Sequence, residues 1–255
     1  MQRRHRLTQI VSAVVERGQV DVSSLAAEFA VSPATIRRDL EALQEQRLVC
    51  RTHGGAKIHA AFNDLPLSYK KTRDLPEKQR IARRAMAFLE GARGARVIGT
   101  TGGTTVSQFV QLLRDREDLT VITNALNVAS DLVGRPGPRV FVAGGEVRVS
   151  SLESVGHAAE AFLASCDIDV AFLGVDGVDA VAGCTNYDPA GARVNAVLAR
   201  RARKRIVLAD ATKIGRVTLA QVCRMAEVDV LITDCRASLA QLEPLRRQGT
   251  AIACA

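Results

Sequence analysis

The chain contains no tryptophan, two tyrosines and seven phenylalanines among 255 residues. Stacking platforms of the kind that hold single-stranded nucleic acid therefore have little material to be built from, whereas recognition of a duplex needs none. The six cysteines (Cys50, Cys166, Cys184, Cys223, Cys235 and Cys254) form no CxxC pair and no cluster with histidine. That spacing indicates neither a zinc site nor a disulfide framework, and no metal or other cofactor is expected. No stretch approaches the roughly 18 apolar residues of a membrane span. The start MQRRHRLTQI is too basic, and its apolar run too short, for a secretory leader, so a cytoplasmic location is the expectation. Neither GxGxxG nor GxxxxGK followed by Ser or Thr occurs, which leaves dinucleotide binding and P-loop chemistry without direct support.

What is present is unevenly distributed. Residues 1–93 hold 17 Lys and Arg against 10 Asp and Glu, while residues 94–255 hold 18 against 17, so seven of the eight net positive charges lie in the first third. A basic end joined to a near-neutral remainder is the asymmetry of a chain whose one end meets a polyanion. Leu7, Ile10, Val11, Val14 and Val15 share one face of a helix over residues 4–17, with Gly18 as its stop. Ser23 is placed to cap a short second helix carrying Leu25 and Phe29. Ser32-Pro33 then gives an N-cap followed by proline at the first helical position. In this third helix Ile36, Leu40 and Leu43 point inward, turning Ala34, Thr35, Arg37, Arg38 and Glu41 outward. Leu48–Arg51, the turn Thr52-His53-Gly54-Gly55 and Ala56–Ile58 read as a small hairpin or wing.

Two short helices and a tight turn fit a helix-turn-helix, whose second helix enters the major groove. Small residues at its start allow close approach to base edges, while Ser32, Thr35, Arg37 and Arg38 can hold bases or phosphates. The run Val31-Ser32-Pro33-Ala34-Thr35-Ile36-Arg37-Arg38-Asp39-Leu40-Glu41-Ala42-Leu43, continued by Arg51-Thr52-His53-Gly54-Gly55-Ala56, resembles the DeoR-type family of bacterial transcriptional regulators. The resemblance implies a winged helix-turn-helix over residues 1–58, a connection over 59–78 and a sugar-phosphate-sensing domain over 79–255. The DNA contacts implied are Ser32, Ala34, Thr35, Arg37, Arg38, Arg51, His53 and Gly54. Arg47 stands where that family usually has glycine.

From about residue 79 apolar strands alternate with helical segments: Val97-Ile98, Leu119–Ile122, Val140–Ala143, Val170–Leu173, Ile206–Ala209, Val228–Ile232 and Thr250–Cys254. This is the pattern of βα units on a mainly parallel sheet, an α/β fold whose ligand crevice lies at the carboxyl ends of the strands. Five strands are followed by small or polar residues: Gly99-Thr100-Thr101-Gly102-Gly103-Thr104-Thr105, Thr123-Asn124, Gly144-Gly145-Glu146, Gly174-Val175-Asp176-Gly177 and Asp210-Ala211-Thr212-Lys213. In the first, glycines let the backbone approach an anion, threonine hydroxyls donate, and a helix beginning near Thr104 presents free N–H groups.

The resemblance extends here through Glu77–Ala82, Thr123–Leu126, Gly144–Arg148, Asp169–Gly174 and Asp210–Gly215. It implies a Rossmann-like effector domain similar to ribose-5-phosphate isomerase, with Thr100, Thr101, Gly102, Gly103, Thr104, Thr105, Asn124, Gly145, Asp176, Asp179 and Lys213 lining the site for a phosphorylated sugar or similar anionic metabolite. Thr100 stands where the family usually has aspartate, and Gly191 and Asn195 where it usually has glutamate and lysine. The phosphate end of the site is thus better kept than the sugar end. The expectation is a non-enzymatic regulator, a repressor of carbohydrate genes, binding double-stranded operator DNA as a dimer or tetramer. A sugar-phosphate isomerase or deaminase with a helical appendage is the alternative. Asp176, Asp179 and Asp188 would then be offered as acid or base. The cluster Arg200-Arg201-Arg203-Lys204-Arg205 at a helix end reads as a complement to the helix dipole or as a solvated face, with a second nucleic-acid surface as the minor alternative.

Overall fold

The computed structural model describes residues 3–46, 48–58, 70, 73–92, 94–134 and 136–255, so Arg47 and most of the connection lie outside the described residues. Two compact units divide the chain, residues 1–70 and 71–255.

The first unit opens with helix α1, Arg3–Arg17, and Gly18 takes φ +74° immediately after it, the left-handed stop that ends a helix at glycine. Ile10, Val11 and Val14 are fully buried; the side chain of Val15 lies outside the described residues. Strand β1 (Gln19–Asp21) leads directly into α2, Val22–Glu28, so Asp21 occupies the N-cap and Ser23 lies inside the first turn. The expected Ser23 cap is therefore displaced by two residues, because β1 pairs with the wing and carries the chain straight into the helix. Helix α3 runs Pro33–Glu45 and buries Ile36, Leu40 and Leu43 against α1 and α2. Strands β2 (Val49–Arg51) and β3 (Gly55–Ile58) form the expected hairpin, and β1 completes a three-stranded antiparallel sheet in the order β1-β3-β2. This is a winged helix-turn-helix.

The second unit begins with α4, Leu75–Gly91, which opens inside the 59–78 stretch read as connection. Its Ile81, Ala82, Ala85 and Leu89 are buried at helical spacing. A seven-stranded, wholly parallel sheet follows: β4 (Val97–Thr100), β5 (Thr120–Thr123), β6 (Arg139–Val142), β9 (Ile168–Gly174), β12 (Ala202–Leu208), β14 (Val230–Thr233) and β15 (Ala251–Cys254). All seven coincide with the expected apolar runs. Parallel strands buried on both faces must be apolar nearly throughout, and that is legible without alternation. Helices α5 (Thr104–Gln111) and α6 (Leu126–Leu132) join α4 on one face, while α7 (His157–Ala164), α8 (Pro189–Arg201) and α9 (Leu239–Arg246) cover the other.

The strand order is β15-β14-β12-β9-β4-β5-β6. The chain builds outward from β4 in one direction and from β9 in the other, so the order reverses between β4 and β9. In open α/β sheets that reversal opens a crevice at the carboxyl ends of the two strands. Phe109 of α5 packs on Phe172 of β9 with ring centroids 4.1 Å apart, which seats the helix after β4 against the neighbouring strand. Two small sheets sit above the strand ends. They are the hairpin β7 (Glu146–Arg148) with β8 (Glu153–Val155), and the trio β10 (Gly177–Asp179), β11 (Gly183–Asn186) and β13 (Ala220–Cys223). Among the described residues, no helix is long and apolar enough to cross a membrane.

Candidate functional site

In the first unit Ser32 adopts extended backbone and its Oγ accepts the Thr35 N–H at 3.2 Å, with the two hydroxyl oxygens 2.9 Å apart. Both side chains are thus engaged in starting α3. Ala34, Arg37 and Arg38 are exposed on the face opposite the buried Ile36 and Leu40. His53 and Gly54 are exposed at the wing turn, where Thr52 N–H donates to the Gly55 carbonyl at 3.0 Å. Arg51 is held by Glu41 of α3 at 2.9 Å, an exposed pair that ties wing to helix. What lies underneath has no local signature in the sequence. Asp39 is 1% exposed and accepts the Arg6 Nε–H at 2.6 Å and the Arg3 Nε–H at 3.3 Å, fastening α3 to α1.

In the second unit the loop after β4 lies at the strand-order reversal. Thr101 Oγ1 accepts the Gly174 N–H at 2.8 Å, joining the loops that follow β4 and β9. A Cβ on Gly174 would come within 2.6 Å of the Gly102 carbonyl, so this approach requires glycine. Gly103, at φ +105°, is the N-cap of α5, whose first-turn N–H groups have no carbonyl partner within the helix and face outward with the positive end of its dipole. Thr100 and Thr101 are fully buried, Thr105 is 7% exposed, and Gly103 and Thr104 are half-buried at the mouth.

The other strand-end loops reach this one through named bonds. Asn124 is fully buried; its Nδ2 donates to the Ser154 carbonyl at 3.3 Å and to Asn195 Oδ1 at 3.4 Å. Lys213 Nζ lies 4.0 Å from Asp176 Oδ1, linking the loops after β12 and β9. Gly145 packs under the hairpin, its Cβ position 2.5 Å from the Val155 carbonyl. Asp179 does not join them: its Oδ1 accepts the N–H groups of Val181 and Ala182 at 2.8 and 2.9 Å and shapes its own turn. Asp188 caps α8 through the Gly191 N–H and pairs with Arg148 at 3.3 Å, so Asp176, Asp179 and Asp188 form no acid–base set.

Two buried oxygens, Thr100 Oγ1 and Asn124 Oδ1, have no hydrogen-bond partner among the described residues. Buried polar atoms are ordinarily satisfied; among the described residues Gln9, Asn127, Thr218 and Thr233 carry four more such oxygens. The positions where acid and cation were expected are reorganised. Asn195 is 2% exposed and bonded to Asn124, and the Arg148 guanidinium lies 3.4 Å from where a Cβ on Gly191 would stand.

Three charged residues of the crevice were not singled out from the sequence. Arg148 comes from β7 and also donates to Ser150 and Ser151 at 3.2 Å. Lys78, on α4, is 4% exposed and donates to the Arg73 carbonyl; burial lowers its pKa to about 8, against the pull of Asp210 and Asp74. Glu153, on β8, is 7% exposed and accepts the Gly102 N–H at 2.8 Å. Burial pushes its carboxyl above the usual range, against the Gly102 N–H, Ser151 and Arg148. A buried glutamate in a three-residue strand leaves no periodic signal that a sequence pattern could catch. Among the described residues no group of His, Cys, Asp and Glu is arranged to hold a metal ion.

Comparison with known proteins agrees with this arrangement at both ends. The model of a DeoR-like helix-turn-helix domain matches residues 6–61, and that of a DeoR C terminal sensor domain matches residues 73–235. The glycerol-3-phosphate regulon repressor of Escherichia coli K12 is 31% identical over 234 residues, 92% of either chain. A putative aga operon transcriptional repressor of Escherichia coli O157:H7 is 31% identical over 250 residues, 97% of this chain and 92% of that one. The lactose phosphotransferase system repressor of Staphylococcus epidermidis is 30% identical over 239 residues, 92% of this chain and 93% of that one. Among solved structures, a ribose-5-phosphate isomerase in complex with phospho-erythronic acid gives a TM-score of 0.38 at 20% identity, covering 53% of this chain and 52% of that one, too remote to support an argument. The chain belongs to the DeoR family of transcriptional regulators, with a DNA-binding winged helix-turn-helix ahead of a sensor domain.

Proposed function

We propose that this regulator represses carbohydrate genes in the cytoplasm, and that a phosphorylated sugar or polyol, bound at the β4–β9 crevice, changes its grip on operator DNA. The observation that carries the reading is the loop Thr100–Thr105 at the strand-order reversal, with helical N–H groups at its end and orphaned oxygens beside it. A phosphoryl group fits the Gly102–Thr105 turn, where N–H groups, threonine hydroxyls and the α5 dipole favour an anion. The hydroxyls of the sugar then fall to Thr100, Asn124, Asn195 and the Asp176–Lys213 pair. Three of the relatives are named for a glycerol-3-phosphate regulon, an aga operon and a lactose phosphotransferase system, which supports a carbohydrate-derived ligand.

On the DNA side, Ala34 and Thr35 at the tip of α3 approach base edges, Arg37 and Arg38 flank them, and the wing with Arg51, His53 and Gly54 follows the backbone. Half-sites call for at least two copies of the chain. Phe141 and Val142 on the edge strand β6, with Val147 and Val149 beyond it, are exposed apolar side chains on which a second sensor domain can pack. Ligand and operator are coupled if the ligand prefers one arrangement of the assembled chains.

A thermal-shift screen of sugar phosphates tests the sensor half of this reading. A true effector raises the melting temperature of the sensor unit in proportion to the logarithm of its concentration, and the parent sugar without phosphate does not. Equal shifts from sugar and sugar phosphate would contradict the phosphate loop.

A further inference from the structure

The strongest unexplained feature of the crevice is a carboxylate where an anion is expected to bind. Glu153 Oε1 accepts the Gly102 N–H at 2.8 Å, and a Cβ built on Gly102 would meet its Oε1, Cδ and Cγ at 2.8, 2.9 and 2.9 Å. The side chain therefore lies flat over the loop backbone, and its main chain is fixed. β8 pairs with β7, with Arg148 and Glu153 as register partners, and Ala125 bridges to Glu153 from the loop after β5. A short hairpin thus delivers a buried acid onto the loop.

Resting on the phosphate-loop reading above, we infer that Glu153 competes with the effector's phosphoryl group for the Gly102 N–H, so that this one side chain sets both the affinity of the crevice for anions and its dependence on pH. Two anions cannot share one N–H donor in a water-poor crevice. A phosphoryl oxygen arriving at Gly102 raises the pKa of Glu153 further, and the carboxylate takes a proton from solvent or leaves the loop. The uptake route makes binding strongest below the pKa of Glu153 in the free protein. Affinity is then lost as pH rises through that value towards the higher one of the complex, by up to about tenfold per pH unit.

The charged groups around Glu153 are few. Arg148 faces it from β7 and Asp176 from the loop after β9; behind them Asp188 pairs with Arg148 and Lys213 with Asp176. Helix α5, Thr104–Gln111, carries no charged residue; of the two helices packed on β8, α7 carries Glu160 and the exposed His157, and Glu160 pairs with Arg193 of α8 at 3.4 Å. These groups are the same in a Glu153→Gln variant, which keeps the shape of the side chain, removes its charge and exchanges one carboxylate oxygen for an N–H donor. They cancel when the two proteins are compared.

Sulfate is the useful probe, because it remains a dianion between about pH 5.5 and 8.5 and any proton taken up belongs to the protein. Sulfate affinity is measured by calorimetry or thermal shift on the full-length chain, as wild type, E153Q and Glu153→Ser, with inorganic phosphate as a second ligand. The expected result is binding about tenfold or more tighter in E153Q at pH 8, with a smaller gain or none at pH 5.5, and a wild-type pH profile steeper than that of either variant. Equal affinities with parallel profiles, or weaker binding in E153Q, would overturn the competition while leaving the anion loop intact. Absence of sulfate and phosphate binding in all three proteins would overturn it together with the loop itself.

Discussion

Removing the Asp39 carboxylate is the sharpest perturbation of the DNA-binding unit. In an Asp39→Ala variant Arg6, whose side chain is 9% exposed, loses its 2.6 Å partner, and Arg3, whose side chain is 63% exposed, loses a 3.3 Å bond that water replaces. The Arg3 contribution is under about 1 kcal/mol. Stranding a buried arginine costs about 3–5 kcal/mol. A unit of this size rarely commands more than about 3–5 kcal/mol in total, so the variant lies near or beyond its unfolding midpoint at 25 °C. Calorimetry and circular dichroism on the full chain should show the transition of the 1–70 unit lowered or lost and that of the 71–255 unit unchanged. The double variant Arg6→Met with Asp39→Val, which replaces the ion pair by apolar groups of closely similar total volume, should return to within about 1 kcal/mol of wild type. An Asp39→Ala protein with both transitions intact would rule out this role for the Asp39–Arg6 pair, as would a double variant no more stable than the single one.

Other expectations are quicker to check. Replacing Arg37 and Arg38 by Ala should abolish specific operator binding without altering the circular dichroism spectrum; if either arginine holds a phosphate, the slope of log affinity against log salt falls by about 0.9 for each. Gly103→Val forces a β-branched residue to φ +105°, so it should eliminate stabilisation by phosphate esters, and wild-type heats of binding would remove the loop assignment. Lys78 gives a pH signature. Its folded pKa of about 8 lies below the unfolded 10.5, so the unfolded chain binds more protons between the two and stability rises with pH across that window, by up to about 3 kcal/mol. Chemical denaturation of Lys78→Met between pH 7 and 10.5 should show that rise flattened, and an unchanged slope would place the cause elsewhere.

The five inner strands of the main sheet were readable because burial on both faces demands continuous apolar runs, as in Val170–Leu173, while the largely exposed edge strands β6 and β15 stand out only as short apolar runs. The start of α3 was readable because Ser32-Pro33 combines a capping hydroxyl with a proline in the first turn. The small strands were not. Gly183–Asn186 is buried throughout yet reads Gly-Cys-Thr-Asn, a composition without hydrophobic periodicity, and β1, β7 and β8 are three residues each. The same limit applied to the site. The loop Thr100–Thr105 announces itself through glycine and threonine, whereas Glu153 and Arg148 enter the crevice only because a hairpin folds back across it, and Asp39 is buried only because α1 supplies Arg6. Pairings between residues this far apart in the chain leave no local trace. Asp179 shows the converse: an acidic residue near a strand end that is spent on the turn at Val181 and Ala182.

The coupling between crevice and operator is tested most directly by one titration. The full-length chain is bound to a fluorescent duplex selected from a random pool, and each sugar phosphate that raises the melting temperature is added at fixed salt. At least one of them should change operator affinity by about 5- to 150-fold in wild type and not in Gly103→Val. Operator affinity that stays constant while such a ligand saturates the sensor domain would contradict the coupling.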